Sequence, residues 1–424
     1  KICRKSICIT VFFLFFFMAG KKKIVFFLVA VIPHIFFAAS FSGLAGIKGD
    51  LSSKSDTSGF NPQLNLSAFF SGQLDITSNF LVRSELSIQT SDVIETKLFS
   101  ETDATFCIDE LSCTYIKPFL GITQYFSAFL GNFEPIGSDV FLQRQFGISP
   151  ITSRITESYL GLRGSTVFPF YGAGASYIIH INNKPVAFGM SLYGNSREYK
   201  DSLKNQLNID FRFATVLPFL TADFAAGFGA PLDNEYSRKK VILLIEELYL
   251  HTGVDLLIGN NYTNSLFIQA GFENLPIIPG NSKSEINSNE LYILVEPRLY
   301  AKKFRSHLTF FSLPSQTVKK LSFIDEENTL GINLSVFTEN LYINNKDFTF
   351  GFHTTLSFKD KDFFDLKRIT EFFDSEFSIK VSPFVTLPVM SGELKFMLQA
   401  KLNGITQKTW QENFKFNIGY KSQL

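Results

Sequence analysis

The chain is poor in residues that staple, ligate or anchor. One tryptophan, four cysteines and five histidines are spread over 424 residues. Cys3 and Cys8 fall at the extreme N-terminus, and the spacing of Cys107 and Cys113 fits neither a CxxC pair nor a zinc set. A disulfide framework and a structural zinc module are therefore excluded. Two options remain for Cys107 and Cys113, a small loop disulfide formed after export or a pair of buried thiols. An excess of either charge is also missing. Lys and Arg number 40 against 39 Asp and Glu, a net charge of +1 that leaves no footprint for nucleic acid or an acidic partner.

Long apolar runs are scarce as well. Two occur, Ile7 to Phe17 and Ile24 to Ala39, and both fall short of the ~20 residues a membrane-spanning helix needs. From Met18 onward the order is that of an export signal: Lys21-Lys22-Lys23, an apolar core, then Ala38-Ala39-Ser40 as a small-residue cleavage site. The expected organisation is an upstream extension (1–17), a cleaved signal peptide (18–40) and a mature domain (41–424).

What the sequence has in abundance is phenylalanine, 50 residues of it, at a mean hydropathy of only +0.12. These residues recur with a period of two. From Leu64 to Ile76 (LNLSAFFSGQLDI) the even positions are Leu, Leu, Ala, Phe, Gly, Leu and Ile, while the odd ones are nearly all polar. After Thr77-Ser78-Asn79 the pattern resumes, with Phe80, Val82, Leu86 and Ile88 against Arg83, Glu85, Ser87 and Gln89. Alternation of this kind puts the two sets on opposite faces of a strand. Its length is about twice that of an ordinary globular strand and suits a tilted strand crossing a bilayer.

The same unit repeats along the chain. Leu207, Ile209, Phe211 and Phe213 oppose Asn208, Asp210 and Arg212, and Leu394, Phe396 and Leu398 oppose Glu393, Lys395 and Gln399. Short turns at 77–79, 182–184, 217–218, 260–263 and 387–390 generally alternate with polar loops, the rim asymmetry of outer-membrane barrels. Residues 104–116 and 124–139 read as strands. If 157–182 holds a single strand with an irregular or inward-folded part, the count is even. The fold class is thus all-β: a transmembrane antiparallel β-barrel of about 18 strands (16–20). A patch from Asp362 to Glu376 has near-helical spacing and reads as a loop helix.

Three stretches, FSGLAGIKGDL (41–51), AFFSGQLDITSNFLVRSELSI (68–88) and FLGNFEPIGSDVFLQRQFGI (129–148), resemble the porin-type outer-membrane β-barrel proteins of spirochaetes. The likeness spans the mature chain as architecture and is sharp over 129–148. It implies an outer-membrane location and either passage of small solutes or a surface-exposed barrel of another role. Gly59-Phe60-Asn61-Pro62 is faintly similar to the hatch motif of long-chain fatty-acid transporters, but the plug-forming stretch of that family is missing before the first strand. The terminal aromatic alternation Phe414, Phe416, Ile418, Tyr420 resembles the strand read by barrel-assembly machinery, and Lys421 to Leu424 depart from the usual final aromatic residue.

If the apolar set meets lipid, the opposing set faces the lumen. It contains Arg83, Glu85, Asp210, Arg212, His251, Asp255, Glu296, Arg298, His353, Lys380, Lys395, Lys401 and Lys415. On the lipid side each Arg or Lys would cost ~2–4 kcal/mol at midplane. Both signs occur, which predicts a wet, weakly selective interior. The Arg and acidic residues either set a transverse field at a constriction or pair along the wall. Pro297 and Pro383 predict bulges or strand ends. His353 with Ser357 is the best pair for nucleophilic chemistry, a pairing that a Ser-rich chain also produces by chance. No catalytic residue, cofactor or metal is assigned. The expected partners are outer-membrane lipid, the assembly machinery and small solutes. Weighed against a channel are a plugged surface or adhesive barrel and a hydrophobic-ligand transporter.

Overall fold

A computed structural model of the chain describes residues 40–56, 59–95, 104–137, 139–156, 171–199, 202–233, 242–243, 248–277, 291–319, 321–325, 327–338, 341–343, 346–359, 377–404 and 410–424. Residues 18–39 of the expected signal peptide, the stretch 157–170 and the helix-like patch from Asp362 to Glu376 lie outside the described residues, while Ser40, placed at the end of that signal, begins the first strand.

Twenty strands follow one another: β1 Ser40–Asp56, β2 Gly59–Thr77, β3 Phe80–Asp92, β4 Ala104–Phe119, β5 Ile122–Asn132, β6 Tyr171–Ile181, β7 Val186–Tyr199, β8 Ser202–Leu217, β9 Leu220–Asp233 and β10 Ile242–Leu243, then β11 Tyr249–Ile258, β12 Ser265–Pro276, β13 Leu291–Ala301, β14 Phe304–Ser312, β15 Leu330–Thr338, β16 Leu341–Ile343, β17 Lys346–Phe358, β18 Phe377–Val389, β19 Gly392–Lys401 and β20 Phe414–Gln423. β10 and β16 are short pieces paired to β9 and β17 at the rims. The remaining eighteen form the wall. Each pairs antiparallel with the next, β9 passing to β11 and β15 to β17. Residues Lys415–Gln423 of β20 return to pair with Leu44–Ser52 of β1, which closes the ring. Closure leaves no ladder edge bare to lipid, the condition a bilayer imposes on any β structure that spans it.

The two faces differ as the alternation requires. On the outside, Phe211 is 48% and Phe350 42% exposed, and Phe396 is half-buried against Phe416 at a 6.3 Å centroid distance. Facing inward, Asn208, Asn333, Ser335 and Asn417 are buried. Polar groups inside and phenylalanines outside invert the plan of a soluble protein. That inversion makes this a transmembrane barrel. No helix among the described residues is long and apolar enough to cross a membrane.

Tight turns gather at one rim. Leu120-Gly121 joins β4 to β5, Pro218-Phe219 β8 to β9, Lys302-Lys303 β13 to β14, and Met390-Ser391 β18 to β19. Several expected boundaries move. β4 runs past Pro118 to Phe119, and β18 continues to Val389 through the expected turn at 387–390. The expected strand 124–139 ends at Asn132, because Pro135 has no N–H for the ladder and Glu134 adopts a φ of 43°.

The two mid-strand prolines act differently from expectation. Pro297 and Pro383 mark neither bulges nor ends. The β13–β14 ladder skips from Val295↔Phe310 to Arg298↔His307, and β18–β19 from Val381↔Ala400 to Phe384↔Met397, with the register unchanged across each gap. Each proline removes one donor and interrupts the ladder locally. Cys107 and Cys113 are both free thiols within β4, the first of them exposed. Six residues of extended strand separate them by about 20 Å, far beyond disulfide reach, so the small loop disulfide is ruled out.

Candidate functional site

The interior is the only place where the chain concentrates buried charge among the described residues. Two segments fold into it from the rim opposite the tight turns. The first covers 133–137 and 139–156 and contains α1 (Asp139–Phe146). Helix α1 ends where Gly147, at φ 67°, donates its N–H to the carbonyl of Gln143 at 2.9 Å, a left-handed cap that suits glycine. The second covers 313–319, 321–325 and 327–329 and contains α2 (Ser315–Val318). Together Ile136, Phe141, Leu142, Ile151, Ile155, Leu313, Val318, Phe323 and Ile324 join inward-facing Phe267, Tyr292, Leu294, Phe311 and Phe337 in an apolar core inside the barrel.

Charged pairs fasten the first segment to the wall. Arg212 on β8 meets Asp223 of β9 through two nitrogens, at 2.8 and 2.5 Å. It also donates to the carbonyls of Glu134 and, at 3.2 Å, Pro135, and its guanidinium lies 3.6 Å from the centre of the Phe141 ring. Gly137 donates its N–H to Asp223 at 2.8 Å. Any Cβ at Gly137, where φ is 70°, would stand 1.9 Å from Oδ2 of Asp255. On β13, Glu296 accepts from Arg298 at 2.8 Å, from Thr309 at 2.6 Å and from Ser153 of the segment, while Arg298 donates to the Thr152 carbonyl at 2.8 Å. A third group joins Arg83 with Glu85 and, at 3.7 Å, Glu110, beside the Arg144–Glu134 pair of the segment itself.

The second segment is tied to the wall by Asp325 together with hydrogen bonds and ring contacts. Asp325 lies 3.1 Å from Lys380 of β18 and 2.8 Å from Lys401 of β19. Burial raises its pKa, but Lys380, Lys401 and the Ser378 hydroxyl outweigh that and hold it down to about 2. Asn328 donates to Ser357 at 2.8 Å, and Phe323 stacks on His353 with ring centres 4.0 Å apart.

The residues expected at the lumen all lie on the inner face, but in separate groups. Arg83, Glu85, Arg212, Glu296 and Arg298 pair along the wall, where a transverse field was the alternative, and Arg212, Glu296 and Arg298 also clamp the first segment. Asp210 accepts from Tyr193 at 3.0 Å and contacts His251 at 2.7 Å beside a cavity of about 80 Å³, too small for a metabolite. Asp255 faces Gly137 of the segment. Lys395 lies 5.2 Å from the centre of the Phe384 ring, and Lys415 lies 3.9 Å from Asp50 of β1. His353 meets Ser335 across the β15–β17 ladder, at 2.7 Å. Ser357 is taken by Asn328, so His353 and Ser357 do not form the pair their spacing suggested. Among the described residues no cluster of three or more His, Cys, Asp or Glu could hold a metal ion.

Several interior charges escaped the sequence reading. Asp223 sits in TADFAAGFG, where its inward neighbours Ala225 and Gly227 hide the alternation. Glu110 follows a register irregularity between β3 and β4. Glu134 and Asp325 are loop residues and Arg144 lies in α1, none of which strand periodicity can place. Lys48 and Asp50 could have been found, since IKGDL alternates cleanly.

No protein-family model and no curated sequence matches the chain. Similar solved structures are bacterial barrels. One is a variant of the Rhodopseudomonas blastica porin, at 10% identity and a TM-score of 0.40, covering 91% of this chain and all of that one. Another variant of the blastica porin gives 9% identity and a TM-score of 0.42 over the same shares. Wzi, a carbohydrate-binding β-barrel of the outer membrane involved in group 1 capsule assembly in Escherichia coli, gives 10% identity and a TM-score of 0.47, covering 90% of this chain and 84% of that one. The fold rests on the strand pairings above, not on these likenesses.

Proposed function

We propose that the protein is an outer-membrane channel of porin type through which small solutes diffuse. One observation carries this reading. The wall arc formed by β19, β20 and β1 keeps long, polar, partly hydrated side chains on its inner face. Lys401 and Lys415 retain 41% and 39% side-chain exposure, whereas Asp223 and Glu296, under the first segment, retain none. Met397, Gln399 and Asn417 on that same face are buried, so the arc is hydrated along its lysines alone, and with the packed arc opposite it describes a lumen narrowed on one side.

A second reading is favoured by the apolar core inside the barrel, which is unusual lining for a water path. In that reading the segments plug the lumen and the barrel serves at the surface. Reconstitution of the folded chain in planar bilayers separates the two. Discrete, ohmic current steps are expected for the channel. A silent membrane, with the protein shown to be inserted and heat-modifiable on a gel, would leave the plugged barrel.

A further inference from the structure

We infer that the inner face of β18, β19, β20 and β1 is an anion track, and that the channel prefers small anions to cations. The inference rests on the channel reading above and names the solute class it would favour. The rows follow from the strand register. At the rim bearing the inward segments, Lys380 stands directly opposite Lys401. One row further in, Lys415 is flanked by Gln399 and Ser52. The next row is Met397, Asn417 and Asp50. Then Gly419 lies between Lys395 on one side and Lys48 on the other. Lys421 and Glu393 complete the series.

Successive inward rows are about 7 Å apart and neighbouring strands about 5 Å. A stripe of ammonium groups therefore descends some 20 Å of the wall from Lys415 to Lys421. Gly419 is buried between the two lysines beside it, whose strands stand about 10 Å apart. The carboxylates on this surface are Asp50, Asp325 and Glu393, and the lysines outnumber them. The balance found in the sequence as a whole is thus not the balance along this path.

The chain itself shows what the stripe accepts. Like charges directly opposite each other on a ladder repel, yet Lys380 and Lys401 occupy such a pair. Asp325 reaches in from the second segment and sits between them, within 3.1 Å of both. A carboxylate already occupies the outermost position of the track. Below it Lys48 and Lys415 share Asp50, at 2.8 and 3.9 Å, and Lys421 meets Glu393 at 3.7 Å, so what the surface presents to a passing solute is the surplus of its lysines over its carboxylates.

The test is the reversal potential of the reconstituted full chain across a potassium chloride gradient. Chloride permeability is expected to exceed that of potassium. The variant Lys395→Gln/Lys415→Gln should lower the permeability ratio, and Lys395→Glu/Lys415→Glu should bring it below unity. Lys302→Gln at the opposite rim should leave it unchanged. Heat-modifiable migration and circular dichroism establish that each variant is folded. Should the neutralised variant fail to fold, Lys48→Gln alone serves, with a smaller shift in the same direction. Steady current that is unselective or prefers potassium would overturn the anion track and leave the channel standing. Absence of current from inserted, folded protein would remove both.

Discussion

Arg212 concentrates more of the interior's chemistry than any other side chain described. It neutralises Asp223, caps two carbonyls of the first inward segment and lies over Phe141. Removing one partner of a buried pair typically costs about 3–5 kcal/mol, because the other charge is left uncompensated. Arg212→Met should therefore lower stability by about that much in urea unfolding from lipid vesicles, and Arg212→Met/Asp223→Leu should recover most of the loss. A single variant within about 0.5 kcal/mol of the parent would mean that the pair carries little. Gly137→Ala adds a Cβ 1.9 Å from Asp255 on a backbone at φ 70°. It should shift the segment and change the single-channel conductance. At this scale the sequence was half informative. Arg212 stands out against Phe211 and Phe213, so its inward orientation is legible. Its partner Asp223 is not, since alanine and glycine share that face and mask the period. The contact with Gly137 joins residues far apart along the chain and leaves no local trace.

The second inward segment has one inward-facing charge, Asp325, among its attachments to the wall. The folded-state pKa of Asp325, about 2, is below the unfolded value of ~3.9. Its contribution is therefore fully present above pH ~4 and is lost as pH falls toward about 2. Lowering pH across that window should loosen residues 313–329, read as faster proteolysis within the segment or as noisier current. Asp325→Asn should show the loosened behaviour already at neutral pH. If the variant and the parent have the same cleavage rate at pH 7, the tether is not what holds the segment. The elements of the wall were legible because a strand declares its faces in its own residues. The inward segments were not, apart from the parity of the strand count. Where 133–156 goes is decided by partners on β8, β9 and β13, and no periodicity encodes them.

For the barrel taken whole, the governing quantity is which face meets oil. Phe211→Arg places a charge on that face and should destabilise the inserted protein by about 2–4 kcal/mol if Phe211 lies near midplane, less toward either interface. Unfolding from vesicles reads this directly, and an unchanged midpoint would argue that Phe211 never touches lipid. The architecture was legible at this scale. Fifty phenylalanines at modest mean hydropathy, spaced by twos, have few other places to go. The charge pattern of the lumen was not, because net charge is a sum and selectivity depends on where each sign is placed. The closing seam has a further consequence, for biogenesis. It ties Asn417 to Asp50, 367 residues earlier in the chain. Any nascent or truncated polypeptide lacking β20 therefore carries two unmated strand margins at once, each a template for another chain. Such a product has to be escorted until its final segment arrives, and left alone it should polymerise rather than insert.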